Sequence, residues 1–76
     1  NNIEITPETI QRTREHFADI SRRCITSAHE ANDPARWIAF HEAAIADGLA
    51  GRYDHSVTFA QRALWLQTGE CIALLA

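Results

Sequence analysis

The side chains best suited to chemistry in this sequence are four histidines and two cysteines. His41 and Glu42 are adjacent in a helical segment, as they are in zinc-binding helices. Such a helix needs its second histidine four residues after the first, and that position holds Ile45. His41 lies between Trp37 and Ile45 on an apolar arc. We therefore expect a core-boundary histidine with one satisfied ring nitrogen, and a pH-sensitive packing role is the alternative.

The two cysteines, Cys24 and Cys71, could form at most one disulfide. Their apolar neighbours favour buried, reduced thiols in a cytoplasmic protein. A catalytic thiol also needs a base and an anion-stabilising pocket, and no phosphate-binding loop or nucleophile elbow is present. Asp54, His55 and His16 could supply metal ligands, but nothing fixes their spacing. The sequence predicts no enzyme activity, no cofactor and no metal, with a metal- or thiol-dependent enzyme as a remote alternative.

The length and charge of the chain restrict its fold and its partners. Its 76 residues predict a single domain, 1–76, and chains this short bury only roughly 60% of their unfolded surface. We therefore expect a partner subunit or unusually good packing to stabilise it. The net charge of −3, from 10 acidic and 7 basic residues, disfavours nucleic acid as a partner. No apolar run is long enough to cross a bilayer, which favours a cytoplasmic protein over a membrane protein.

Capping residues and apolar spacing predict an all-α fold. Thr6 and Pro7 can begin the first helix, Asn32 can end it in a left-handed conformation, and glycines at 48 and 51 can end the second. The short connections make neighbouring helices antiparallel. The sequence thus predicts a small three-helix bundle of antiparallel helical hairpins with a short fourth C-terminal helix. The expected helices cover residues 7–32, 34–50, 53–67 and 69–76.

The second helix is apolar on more than one face. A bulky face carries Trp37, His41 and Ile45, and a second face is rich in alanine. A helix of this kind must be covered on more than one side, so we expect the first helix to take one face and the third helix the other. On the third helix small residues occupy the middle of the apolar arc, which favours close packing, and Tyr53 and Phe59 are expected in the core.

Residues 37–68 resemble a single tetratricopeptide-type helical hairpin. In the first helix of the segment, the resemblance depends on an early aromatic residue, Phe40, and a small residue, Ala44. It also depends on the Gly-x-Tyr-Asp turn at Gly51, Tyr53 and Asp54, and on a late alanine in the second helix, Ala63. Ser56, Asp47 and Thr68 depart from the pattern, and the chain holds one copy where repeat arrays need about three. The resemblance implies hairpin geometry and a surface for another helix, without a superhelical peptide groove.

Two surfaces are candidates for contact with other proteins. Trp65 lies on a polar arc of the third helix, where tryptophan often anchors an interface, although it could instead be covered by the tail. The arc also carries Asp54, Thr58, Gln61 and Arg62. Oligomer or tail packing is expected of large apolar residues at Ile10, Phe17, Ile72, Leu74 and Leu75.

The leading hypothesis is therefore a non-enzymatic protein-protein interaction module, such as a small inhibitor or accessory factor, that acts as a homodimer. The alternative is a small helix-turn-helix-like transcriptional regulator, in which the third helix would read DNA. That helix offers one arginine and an acid near its start, a poor set of groups for contacts to phosphates and bases.

Overall fold

A computed structural model describes residues 4–32 and 35–68 of the chain. It contains three helices: α1 spans Pro7–Glu30, α2 spans Ala35–Leu49 and α3 spans Tyr53–Thr68. The described residues form no strand. The predicted all-α bundle is confirmed, and the helix ends differ from the predicted ones by at most two residues. The fourth helix predicted over 69–76 lies outside the described residues.

The start of α1 follows from local chemistry. The Thr6 hydroxyl accepts a hydrogen bond from the Thr9 backbone N–H at 3.2 Å, and the Thr9 hydroxyl accepts one from the Thr6 N–H at 2.9 Å. This reciprocal capping satisfies two N–H groups, and Pro7 at the first helical position has no N–H to satisfy. The predicted start of the first helix is confirmed.

The end of α1 differs from the prediction. Ala31 leaves the helix in an extended conformation, with φ −95° and ψ 158°, and no described residue other than glycine has a positive φ. The predicted left-handed conformation of Asn32 is therefore wrong. The reason is that a long-range contact does part of the capping: the Arg36 Nε donates to the Ala28 carbonyl at 3.1 Å.

The turn between α2 and α3 has the predicted glycine conformation. Gly51 has φ +80°, its N–H donates to the Gly48 carbonyl at 3.2 Å, and the Arg52 N–H donates to the Asp47 carbonyl at 2.8 Å. Carbonyls at the end of α2 are thereby satisfied as the chain reverses. The result is an antiparallel α2–α3 hairpin.

Helix α2 is the centre of the bundle, since α1 and α3 both pack on it and make little contact with each other. Ala28 of α1, Phe40 of α2 and Ala63 of α3 form the buried cluster that joins all three helices. Phe40 stacks on Phe59 of α3 with ring centroids 5.9 Å apart. The Ser56 hydroxyl donates to the Ala44 carbonyl at 2.7 Å, a bond that requires the two helix backbones to lie close together.

Both neighbours pack on the small-residue side of α2, which corrects the expectation that they would take opposite faces. Ala43, Ala44 and Ala46 are buried, whereas Ile45 is 53% exposed. His41 is also exposed, so it does not lie at the core boundary that the sequence predicted. Alanine side chains let two helices approach one axis closely, and bulky side chains would hold them apart.

The middle of the apolar arc of α3 faces α2, as its small residues predicted, but one side of that arc does not. Phe59 is half-buried against Phe40, while Tyr53 is 70% exposed, so the placement of Tyr53 in the core is wrong. The narrow contact on α2 accommodates Ser56 and Ala63 and leaves the wider part of the apolar arc outside. No helix in the described ranges is both long and apolar enough to cross a membrane.

Enlarging a buried alanine of α2 should separate its neighbours. Ala43 is 0% exposed, so we expect Ala43→Leu to lower the free energy of unfolding by about 1–3 kcal/mol through overpacking. Gln11→Leu is the control, because Gln11 is exposed on α1 away from the buried side of α2 and its substitution should change stability by less than about 0.5 kcal/mol. Urea unfolding followed by circular dichroism measures both, and equal effects would contradict the packing described above.

Candidate functional site

Several large apolar side chains of α2 and α3 lie on the surface of the bundle, whereas most of the fully buried apolar residues are small. Among residues 4–32 and 35–68, six of the seven buried hydrophobic residues are alanines and the seventh is Phe40. Six larger side chains of α2 and α3 are between 41% and 70% exposed. We call this set the outer apolar face; its members are Ile38, Ile45, Leu49, Tyr53, Val57 and Leu64.

These residues share one side of the α2–α3 hairpin. Ala44 marks the side of α2 that faces α3, and Ser56 marks the side of α3 that faces α2. Ile45 lies roughly 100° around α2 from that contact, and Val57 lies roughly 100° around α3 from it. Since the helices are antiparallel and right-handed, the two rotations lead to the same side. The outer apolar face is therefore continuous across both helices.

The predicted oligomer contacts on α1 are only partly at the surface. Ile10 is 42% exposed and lines a shallow cavity with Ile5 and Leu49, which extends the outer apolar face at one edge. Phe17 is half-buried, and its ring lies edge-on to the His16 ring with the ring centroids 5.3 Å apart. The remaining predicted contacts, Ile72, Leu74 and Leu75, lie outside the described residues.

The predicted polar arc of α3 is exposed apart from its tryptophan. Asp54, Thr58, Gln61 and Arg62 all face solvent, and the Thr58 hydroxyl donates to the Asp54 carbonyl at 2.9 Å. Trp65 is half-buried, and its Nε1 is buried without a hydrogen-bond partner. The structure thus does not present Trp65 as an exposed anchor, and it places that side chain beside Arg62 in a cavity at one end of the bundle.

A buried carboxylate that the sequence analysis did not select lies under the α2–α3 turn. Asp47 is 0% exposed, and neither of its side-chain oxygens accepts a hydrogen bond. The Arg52 Nε lies 3.7 Å from the Asp47 Oδ1, and one Arg52 Nη lies 3.1 Å from the His55 Nδ1. The sequence indicated this site only by having an aspartate at position 47, where the resembled hairpin commonly has an aromatic residue. Its position suits charge compensation inside the turn.

The other groups considered for chemistry remain separate from one another. No cluster of three or more histidine, cysteine, aspartate or glutamate side chains suited to a metal ion occurs in the described part of the chain. The His41 ring lies edge-on to the Trp37 ring on the solvent side of α2, with the ring centroids 6.3 Å apart. Cys24 is a half-buried free thiol, and burial together with the nearby Glu42 carboxylate raises its pKa. That environment disfavours the nucleophilic thiolate.

The ion pair beneath the turn should show coupling in a double-mutant cycle. Arg52→Met leaves the Asp47 carboxylate buried without its counterion, and we expect it to lower the free energy of unfolding by about 1–3 kcal/mol, a range reduced for the partial exposure of Arg52. In an Asp47→Asn background the same substitution should cost much less, because the buried charge is gone. Additive effects in urea unfolding would mean that the pair does not stabilise the turn.

The raised pKa of Cys24 predicts slow alkylation. In a Cys71→Ser chain at pH 8, we expect iodoacetamide to modify Cys24 more slowly than it modifies a free thiol, because the raised pKa leaves less thiolate. Glu42→Gln should increase the rate by removing the carboxylate that opposes ionisation. The pKa of Cys24 is higher in the folded chain than in the unfolded chain. Its contribution to stability is therefore fully present below the unfolded-state pKa and is lost as the pH rises through the folded-state pKa. A rate equal to that of free cysteine would contradict this.

Comparison of the chain with protein-family models, curated protein sequences and solved structures gives no significant match. The surfaces of the chain itself are therefore the basis for its proposed function. Two of them stand out in the described residues: the outer apolar face of the α2–α3 hairpin, and the cavity beside Trp65 at the opposite end of the hairpin from its turn.

Proposed function

We propose that this chain is a non-enzymatic helical protein-binding module that pairs with a second copy of itself through the outer apolar face. The observation that carries the proposal is that the buried apolar residues of the described helices are mostly alanines, whereas isoleucine, leucine, valine and tyrosine side chains of α2 and α3 are exposed on one side. Contiguous apolar surface of this kind is typical of interaction sites, since exposing it to water is unfavourable.

The extent of the face suits a dimer interface. Its six side chains together expose on the order of 500 Å² of mostly apolar surface, because a large side chain has roughly 150–200 Å² when fully exposed. A standard interface buries about 800 Å² on each partner, of which a little over half is apolar. The polar groups beside the face, such as His41 and Glu42, would supply the remainder as a rim.

A second copy is a suitable occupant because the face is formed by two antiparallel helices. A twofold axis through such a face places hairpin against hairpin and produces a four-helix arrangement, with the same residues contributed by each copy. Dimerisation would also bury large apolar side chains that the described helices leave exposed. Most of the buried apolar residues in the described helices are alanines, and a chain this short gains stability from a partner subunit by mass action.

Sedimentation equilibrium between about 1 and 500 μM tests the proposal, a range in which weak dimers dissociate. We expect the unsubstituted chain to form a dimer, and Val57→Lys to raise the dissociation constant at least about tenfold, because a charge on the face must be desolvated. Gln61→Lys is the matched control, since Gln61 is exposed on the polar arc of the same helix.

The outcomes of this experiment are distinct. A chain that stays monomeric throughout the concentration range contradicts the proposed pairing. Loss of the dimer in Gln61→Lys but not in Val57→Lys would assign the contact to the polar arc of Asp54, Thr58 and Gln61. Circular dichroism of each variant establishes that the helices have formed.

A further inference from the structure

A cavity of about 340 Å³ lies where α1 ends, α2 begins and α3 ends. All three helices contribute to its lining, and it is separate from the outer apolar face. We call it the end cavity, and its lining residues are His29, Arg36, Phe40, Arg62, Trp65 and Leu66. Its volume is at the lower end of the range found for small-molecule sites.

The charged groups of the end cavity are basic. Three of the six lining residues carry basic nitrogen atoms, and none is acidic. No carboxylate of the described residues lies within 4 Å of the Arg36 or Arg62 guanidinium, although Asp19 and Asp47 pair with arginines elsewhere. The end cavity therefore holds two arginines that are not neutralised by a carboxylate of the described chain.

Both guanidinium groups are held in place by contacts other than ion pairs. The Arg62 Cζ lies 5.4 Å from the Phe40 ring centroid and 5.9 Å from the Phe59 ring centroid, within the range of cation–π attraction. Arg36 is held through its Nε, which donates to the Ala28 carbonyl at 3.1 Å. In each case the terminal N–H groups stay available, and an immobilised guanidinium loses less entropy when it binds an anion.

The remainder of the lining is flat and apolar. Phe40, Trp65 and Leu66 provide aromatic and aliphatic surface. A ligand that brings both an anionic oxygen and a flat apolar group would match these features together.

We propose that the end cavity binds an organic carboxylate with an apolar body, through the Arg62 and Arg36 guanidinium groups and the Phe40, Trp65 and Leu66 surface. The carboxylate matches the planar arrangement of guanidinium donors, and the apolar body covers the aromatic wall. A strongly hydrated inorganic anion would leave that wall exposed to water. The same chemistry could come from a free aromatic acid or from an acidic side chain between apolar residues of a peptide.

Titration with phenylacetate tests the proposal. In a Trp37→Phe chain Trp65 is the sole tryptophan, so its fluorescence reports on the end cavity. We expect saturable binding with a dissociation constant of about 1–10 mM, the range for a ligand of this size. Phenylacetamide, the uncharged analogue, should bind at least about tenfold more weakly, because it lacks the charge-assisted contact. Amide NMR shifts near residues 29, 36 and 62–66 of the unsubstituted chain locate the site independently.

Substitutions at arginines separate specific binding from general charge attraction. Arg62→Gln should weaken phenylacetate binding at least about tenfold, and Arg62→Lys should give an intermediate loss, because lysine keeps the charge without the fork of donors. Arg12→Gln is the matched control, since Arg12 is an exposed arginine on α1 outside the end cavity. Circular dichroism establishes that each variant is folded.

Two further ligands identify the source of the carboxylate. If the peptide acetyl-Leu-Asp-Leu-amide binds more tightly than phenylacetate and its Asn analogue does not bind, the site takes acidic side chains of proteins. If phenylacetate binds more tightly, the site takes free aromatic acids. The proposal is overturned if neither ligand binds, if phenylacetamide or inorganic phosphate binds as tightly as phenylacetate, or if Arg62→Gln leaves binding unchanged.

Discussion

The close approach of two helices to the alanine side of α2 is the constraint on which the rest of the structure depends. Ala43, Ala44 and Ala46 have side chains short enough for neighbouring backbones to come near the α2 axis. The 2.7 Å bond from the Ser56 hydroxyl to the Ala44 carbonyl is a direct consequence, since a serine side chain reaches only a nearby backbone. This packing fixes which side of α2 is interior, and its bulky side chains are left outside.

The same constraint explains why few large apolar side chains are fully buried among the described helices. Phe40 is the one large apolar residue that is buried within the described ranges, and its ring touches the rings of His29 and Phe59 on the two flanking helices. A core formed mainly of alanine gains less from burial per residue than one of leucine and isoleucine. The alanines of α2 therefore have two consequences: the helices pack closely, and the larger apolar side chains remain on the outer face.

The features predicted correctly from the sequence are local ones. Thr6, Pro7 and Gly51 act on the backbone within a few residues, so their types alone determine where α1 begins and how α2 ends. The choice of the buried face of α2 is not local, because a helical wheel gives the apolarity of each side and not the distance at which a neighbour can pack. The exposed Tyr53 and the end of α1 at Glu30, where Arg36 reaches back from α2, have the same origin in contacts between helices.

The two surfaces of the molecule are connected through α3. That helix contributes Val57 and Leu64 to the outer apolar face and Arg62 to the end cavity, and it is positioned by α2 with little help from α1. A ligand in the end cavity would touch all three helices at once, and binding to the assembled bundle stabilises it relative to any state in which α3 has separated. A ligand in the end cavity thus stabilises the packed position of α3, and that position also forms the outer apolar face. Binding at the two surfaces should therefore be mutually favourable, since equilibrium coupling between two sites is reciprocal.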